Sequence, residues 1–403
     1  MGRFVTRPTL LWCVGLLLVV LATNRYADPF EPTFEGPADS FDYLALARAA
    51  PGVPHERMIY AASQRIAIPY AIGLVGHATG MPLHRIFQVS AAGVALATLL
   101  VFGATLEAVA LSRAQVVVIL ALLAFDPWTF RLHFTYPEMI DDIGFMLGLA
   151  VTLYGLVTGR GLTVFMGQAI ASLSRQTGLV LVAVVALWLW RDRTIWAART
   201  TTTRVTVVLI AGVLAVSIYL ATGHVAAQFS FDIDNSGYVL GWLDWLRTQF
   251  DPVVLTAFAL RASLAVMMPA AIVLGLPHLT RVRARPGLVW LALVASAMLA
   301  SQPLLAGPDI TGGNAQRLMS IGLLPLFLGV GILLREGGVF DTASPRRAPL
   351  AMVALLFLAS FHHVFARTPF ARPDIVFIAT YVLACIGAFA IVRADTRGSQ
   401  RSA

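Results

Sequence analysis

The sequence predicts an all-α protein of the membrane, one integral domain over residues 1–403 built from about twelve transmembrane helices. Three observations predict it. Of the 403 residues, 58% are hydrophobic and only 12% are charged, where a soluble chain carries about a quarter. Apolar runs recur, each of about 15 to 25 residues, enough to cross or nearly cross a bilayer. All 29 basic residues are Arg, and most lie in short loops between the runs. Arg anchoring the cytoplasmic ends explains the basic balance better than nucleic acid does, so no nucleic-acid partner is expected. The two Cys, Cys13 and Cys385, each sit inside an apolar run and offer neither a disulfide framework nor a metal motif.

Each element follows from the pattern in turn. Arg3 and Arg7 precede a first span at about 9–23. With no small-x-small cleavage site after it, this is a retained span rather than a removed signal. Residues 24–80 form a first outer loop carrying interfacial helices. Within it, Phe41, Leu44, Ala45 and Arg48 recur at helical spacing over 40–49, capped by Ser40 or Asp39 and ended by Pro51, Gly52 and Pro54. Residues 65–79 are apolar but short, a helix that dips into or lies against the membrane. Spans follow at 86–111 and 115–125. The stretch DPWTFRLHFTYPEMID reads as an outer loop, and Asp142 opens the fourth span, which ends at Arg160. The fifth and sixth spans run from Leu162 to Trp190, interrupted by SRQTG at 174–178. A seventh at 205–222 leads to an outer loop with Asp232, Asp234, Asp244 and Asp251. The remaining spans end near Pro277, cover 288–305 and 318–334, and finish with two more before the Arg-containing tail.

Both termini then lie inside, and the basic clusters at Arg191–Arg204, Arg281–Arg285 and Arg346–Arg347 share one side. Most of the carboxylates gather on the other side. Acids contribute little to orientation, so that asymmetry asks for a functional reason. No internal repeat is visible, although duplicated transporters carry one.

Three constellations could carry chemistry. Asp39, Asp42 and Tyr43 follow the first span, and on their spacing alone a solvated acidic loop with a helix cap explains them better than chemistry does. Asp141 and Asp142, with Glu138 before them, stand at the mouth of a later span, where ionisable groups are costly and usually face a polar cavity. A helix N-terminus explains one of the two adjacent acids but not both. Arg65, Arg131, Arg175 and Arg317 break the inside rule. A phosphate would stabilise such guanidinium groups, and so would the outer carboxylates. His133, His224, His362 and His363 read as packing or interface residues. Arg261, within a span, requires a partner of its own.

The order of these features resembles the C-type (GT-C) superfamily of polytopic membrane glycosyltransferases, which use polyprenyl-phosphate sugar donors. The resemblance rests on Asp39-x-x-x-Tyr43 before LALARA, QRIAIPY from Gln64, the acids Asp141 and Asp142, SRQTG around Arg175, and NAQRLMSIGLLPLF around Arg317. It covers roughly residues 3–334. Two departures stand out: Asp39 is followed by Ser40 rather than a second acid, and no large soluble C-terminal domain is present.

What the resemblance implies is transfer of a sugar from a polyprenyl-phosphate carrier to a glycan, lipid or protein acceptor. The site would face the exterior of a bacterial inner (plasma) membrane, in contact with membrane lipid. Asp39 would act as general base, with Asp42 beside it. Asp142 or Asp141 would orient the acceptor or hold a divalent cation such as Mg or Mn. Tyr43, Arg65, Arg175 and Arg317 would bind the donor, the guanidinium groups stabilising the departing phosphate. The alternative is a transporter or flippase of lipid-linked sugars, which calls for polar groups near mid-membrane and repeat symmetry. A scaffold without chemistry is a third reading.

Overall fold

The structure is a computed structural model that describes residues 5–24, 38–55, 57–192, 195–232, 243, 245–247, 250–256, 258–260, 263, 266, 271, 287–302, 315–341, 347–361 and 373–402. The side chains at 38–40, 231–232, 315, 373–378 and 397–402 fall outside that description.

The described chain is mostly helical. It runs α1 (Arg7–Thr23), α2 (Ala38–Ala49), β1 (Met58–Ile59), α3 (Tyr60–Ser63), α4 (Ala67–Thr79), α5 (Leu83–Ala108) and α6 (Arg113–Phe125). A π-helical turn (Pro127–Arg131), α7 (Leu132–Thr135) and a 3-10 turn (Pro137–Met139) lead into α8 (Ile140–Thr158). Then come α9 (Gly161–Ser174), α10 (Gly178–Arg191), α11 (Thr201–Ala226), β2 (Ser230–Asp232) and α12 (Gly287–Ala300). The last part holds α13 (Ala315–Met319), a 3-10 turn (Ser320–Gly322), α14 (Leu323–Glu336), α15 (Arg347–Ala359) and α16 (Pro373–Ser402). Among the described residues six helices are long and apolar enough to cross a membrane, and five more apolar helices are shorter. The one strand pairing described is β1 with β2, parallel and two residues deep.

Burial sorts these helices by their sequence. The α6 run VVVILALLAF has no polar face, and all of it is buried, as expected of a helix apolar all round and set in the middle of a body. Its start is fixed by a capping box between Ser112 and Gln115. The Ser112 hydroxyl and the Gln115 amide also donate to the carbonyls of Phe340 and Val339, tying α6 to the turn after α14. By contrast α11 exposes Leu209, Val213 and Leu220, the pattern of a helix whose outer face meets hydrocarbon.

The stretch 126–141 corrects one expectation, because it is not a loop. The π-helical turn and α7 resume directly after α6, past an extended Asp126, and Pro127 to His133 are buried. The polar residues that suggested a loop instead cap the break at Asp126. Pro127 has no N–H, so the Leu123 carbonyl loses its helical donor. The Thr129 hydroxyl donates to that carbonyl at 2.7 Å, and the Asp126 carboxylate accepts from the Trp128 amide at 2.9 Å. The fourth long helix correspondingly opens at Ile140, not at Asp142. A second correction concerns α2. It begins at Ala38, so Asp39 and Ser40 stand in its first turn rather than before it.

α8 and α9 are bound by close backbone approach. A Cβ on Gly148 would come 2.4 Å from the Ala171 amide nitrogen, and one on Gly167 would come 2.4 Å from that of Thr152. At Gly155 the same test meets the Val164 nitrogen at 2.7 Å. Small residues at helix contacts permit this in membranes, where packing rather than water exclusion drives association. At Gly144, two residues beyond Asp142, a Cβ would strike the Ser174 hydroxyl at 2.8 Å. The missing side chain lets the end of α9 lie against the start of α8.

Candidate active site

That approach brings Arg175 onto Asp142. α9 stops at Ser174, Arg175 is fully extended, and α10 resumes at Gly178. The interruption expected from SRQTG is therefore present. The turn is braced from below, since the Gln168 amide donates to the Gly178 carbonyl at 2.7 Å and to the Ser172 hydroxyl at 3.0 Å. Thr177 donates to Gln302 at 2.9 Å. Arg175, held at this break, directs Nη1 at Asp142 Oδ1.

The other oxygen of Asp142 is taken from the far end of the chain. Arg317, on α13, donates Nε to Asp142 Oδ2 at 2.6 Å. Its own carbonyl accepts from the Ser320 hydroxyl at 2.7 Å. Close packing of Gly322, where a Cβ would meet the Ser296 carbonyl at 2.6 Å, seats this turn on α12. Arg175 is 2%, Asp142 3% and Arg317 4% exposed, so the triad is an enclosed ionic group rather than a surface network. Taking such ions from water is costly, and mutual pairing offsets the cost only with close geometry. Asp141, the preceding residue, is fully buried as well.

A third contact comes from a residue that sequence reasoning set aside as packing. His133 is fully buried, and its Nε2 lies 3.5 Å from Asp142 Oδ2. Its Nδ1 meets the Thr129 carbonyl. A carbonyl can only accept, so the proton on that side belongs to Nδ1. The signal that could have found His133 is its i+4 spacing from Thr129, which is invisible once the stretch is read as a loop.

A second polar patch adjoins the first. Arg65, 8% exposed, precedes α4 and donates Nη1 to the Tyr43 hydroxyl at 2.6 Å. Its Nε donates to Gln176 Oε1 at 3.2 Å. Gln176 in turn donates to the Ala61 carbonyl at 2.9 Å and to Gln64 at 3.0 Å. Arg175 and Gln176 are neighbours in the break between α9 and α10, so they join the two patches. Tyr43, Leu46, Met58, Met139 and Phe229 form a small apolar cluster beneath. α2 thereby rests on the 3-10 turn that ends just before Asp141.

Of the residues selected from sequence, Asp141, Asp142, Arg175 and Arg317 are gathered in one place, and Tyr43 and Arg65 lie beside them. Asp42 is half-buried on α2. The Asp39 side chain lies outside the described residues, as do Arg261, His362 and His363. His224 falls within α11, not in a loop. Arg131 goes elsewhere. It is fully buried, with Nη2 donating to the hydroxyls of Thr23 at 3.1 Å and Ser360 at 3.0 Å. The Phe361 ring lies 5.3 Å from its guanidinium carbon.

Asp142 has both oxygens on guanidinium groups, so the donor set here is not that of a cation site. Among the described residues no three His, Cys, Asp or Glu side chains gather where they could hold a metal ion. Compared with protein-family models, curated proteins and solved structures, the chain matches none.

Proposed function

We propose that the chain is a membrane glycosyltransferase. In this reading it moves a sugar from a polyprenyl-phosphate carrier to an acceptor hydroxyl, on the non-cytoplasmic face of a bacterial plasma membrane. Its body would be about twelve spans with both ends inside. The observation that supports the reading most is the convergence of Asp142, Arg175 and Arg317 from three distant stretches into one buried group. Guanidinium forks bind phosphate oxygens two at a time, and they stabilise the charge that grows on a phosphate as its sugar leaves. Arg65, linked through Gln176, extends the same surface toward α2.

Asp142 in this scheme does not take a proton, because both of its oxygens are already held by guanidinium groups. It holds the phosphate-binding pair in place. The base that deprotonates the acceptor is Asp39, in the first turn of α2. The donor needs a membrane enzyme because its prenyl tail is dissolved in the bilayer.

The test is substitution of Asp39 by Asn, read by glycan and glycolipid analysis of the producing strain alongside the membrane level of the protein. Loss of the transferred sugar at normal protein level is expected. Undiminished product would remove Asp39 from the mechanism.

A further inference from the structure

Beside the Arg65 patch lies a cavity that the scheme above does not use. Its volume is about 340 Å³. Its walls come from the turn after α2 at residues 52–54, from Ile66, Ala67 and Tyr70 at the start of α4, and from Val225, Gln228 and Phe229 at the end of α11. These walls are tied together. The Tyr70 hydroxyl donates to the Pro51 carbonyl at 2.7 Å, and the Met58 amide donates to that of Phe229 at 3.3 Å. A Cβ on Gly223 would meet the Tyr60 hydroxyl at 2.8 Å, so α11 lies close on α3. Apart from Gln228 the lining side chains are apolar or, at Tyr70, have their hydroxyl engaged elsewhere. Val53 and Val225 are the exposed rim. The flanking helices also expose Leu74 and Val75 on α4 and Leu220 on α11, the pattern of faces that meet hydrocarbon.

Three features fall in order along α2. Asp39 stands in its first turn. Tyr43, one turn further on, holds Arg65. The cavity begins beyond the last residue of the helix, Ala49, and has Ile66, the residue after Arg65, as a wall. A prenyl-phosphate sugar carries its parts in the same order: sugar, phosphate, then hydrocarbon. We propose that this cavity seats the isoprenoid units nearest the donor phosphate, and that the rest of the chain leaves between α4 and α11 for the bilayer. This rests on the phosphate reading given above. A cavity of this volume stands at the small end of ligand pockets, with room for the first units and not for a whole carrier chain. Lipid tails are as apolar as these walls, so passing from bilayer to cavity gains little affinity. What the cavity supplies is direction. With the tail held beyond one end of α2, the sugar points toward the other, and the acceptor approaches from the side of Asp39.

The experiment is photolabelling of the full-length protein in lipid nanodiscs with farnesyl methyl phosphate whose first isoprenoid unit carries a diazirine. Mass spectrometry of peptides locates the label. It is expected on residues 52–54, 66–70 and 225–229, and to be suppressed by excess farnesyl methyl phosphate without the diazirine. Val225→Trp and Val53→Trp alter exposed rim positions and fill the cavity with an indole. In both, the suppressible label is expected to move to other residues, because the phosphate still binds while its tail is redirected. Leu220→Trp, outside the cavity on α11, is expected to label as the wild type does. Suppressible label that avoids the cavity in the wild type would overturn this proposal and leave the phosphate reading standing. Cavity label unchanged in both rim variants would do the same. Cavity label from a phosphatidylcholine with a diazirine in its acyl chain, undisplaced by farnesyl methyl phosphate, would make this a bulk-lipid site and overturn the proposal. No suppressible label on the wild type would overturn the phosphate reading and this inference with it.

Discussion

Two buried arginine environments in this chain have opposite designs. At the α8–α9 contact, Arg175 and Arg317 share the carboxylate of Asp142. Arg131, at the π-helical turn after α6, is equally enclosed but meets two hydroxyls and an aromatic ring. Among the described residues no carboxylate pairs with it, and its Nε and Nη1 have no partner. The hydroxyls around Arg131 also serve their own helices, Thr23 donating to the Val19 carbonyl and Ser360 to that of Phe357, each at 2.6 Å. The difference separates an ionic group that must be kept whole from a lone cation whose neighbours are complete without it. Removing a partner from the first strands a buried charge, whereas removing the second strands nothing described here.

The largest effect therefore belongs to Asp142→Asn. The amide is isosteric but offers one acceptor oxygen and no charge to two enclosed guanidinium groups. A loss of about 3–5 kcal/mol is expected, the cost of breaking a buried pair from one side. It should appear in detergent as a markedly lowered thermal midpoint and in cells as a reduced membrane level. A midpoint within a degree or two of the wild type would mean that the triad is solvated and carries little energy.

Much of this comparison was legible in the sequence, and the illegible part has a definite cause. Asp141, Asp142, Arg175 and Arg317 were found because charges flanking apolar runs are expensive and demand a partner. The break at 174–178 was found because SRQTG interrupts an apolar run. His133 and the course of Arg131 were missed together. DPWTFRLHFTYPEMID carries Asp, two prolines, Arg and His, a composition that reads as a turn. Its return to helix directly after Asp126 relies on Thr129 serving the carbonyl that Pro127 leaves bare, and that is a side-chain compensation no period reveals. Composition is equally silent on pairing, since nothing in NAQR says that Arg317 reaches back to a carboxylate on α8.

A middle-sized effect is expected from Gly148→Val, which sharpens the contrast by acting on one environment alone. The branched side chain cannot fit against the Ala171 amide, so α8 and α9 must part. Overpacking of this kind costs about 1–3 kcal/mol. The separation should also loosen Arg175 from Asp142, the first four residues beyond Ala171 and the second six before Gly148. Affinity for farnesyl methyl phosphate, a phosphate diester, measured calorimetrically on the protein in detergent, should fall with stability. A variant that loses stability yet binds unchanged would show that the triad does not depend on this helix contact.

The smallest effect is expected at Arg131→Met. Methionine fills most of the same volume, and its flexible thioether can lie against the Phe361 ring. What is lost is the ring–cation attraction, about 2 kcal/mol for a desolvated pair, and two hydrogen bonds to hydroxyls. Removing a buried cation without a counter-charge avoids a desolvation penalty of several kcal/mol. Those hydroxyls still donate to the Val19 and Phe357 carbonyls, so neither is left unsatisfied. The net result is a thermal midpoint equal to or above that of the wild type, the reverse of Asp142→Asn. A loss as large as that of Asp142→Asn would instead mean that an anion pairs with Arg131 in the folded protein. The two environments would then share one design, and the contrast drawn from their described partners would fail.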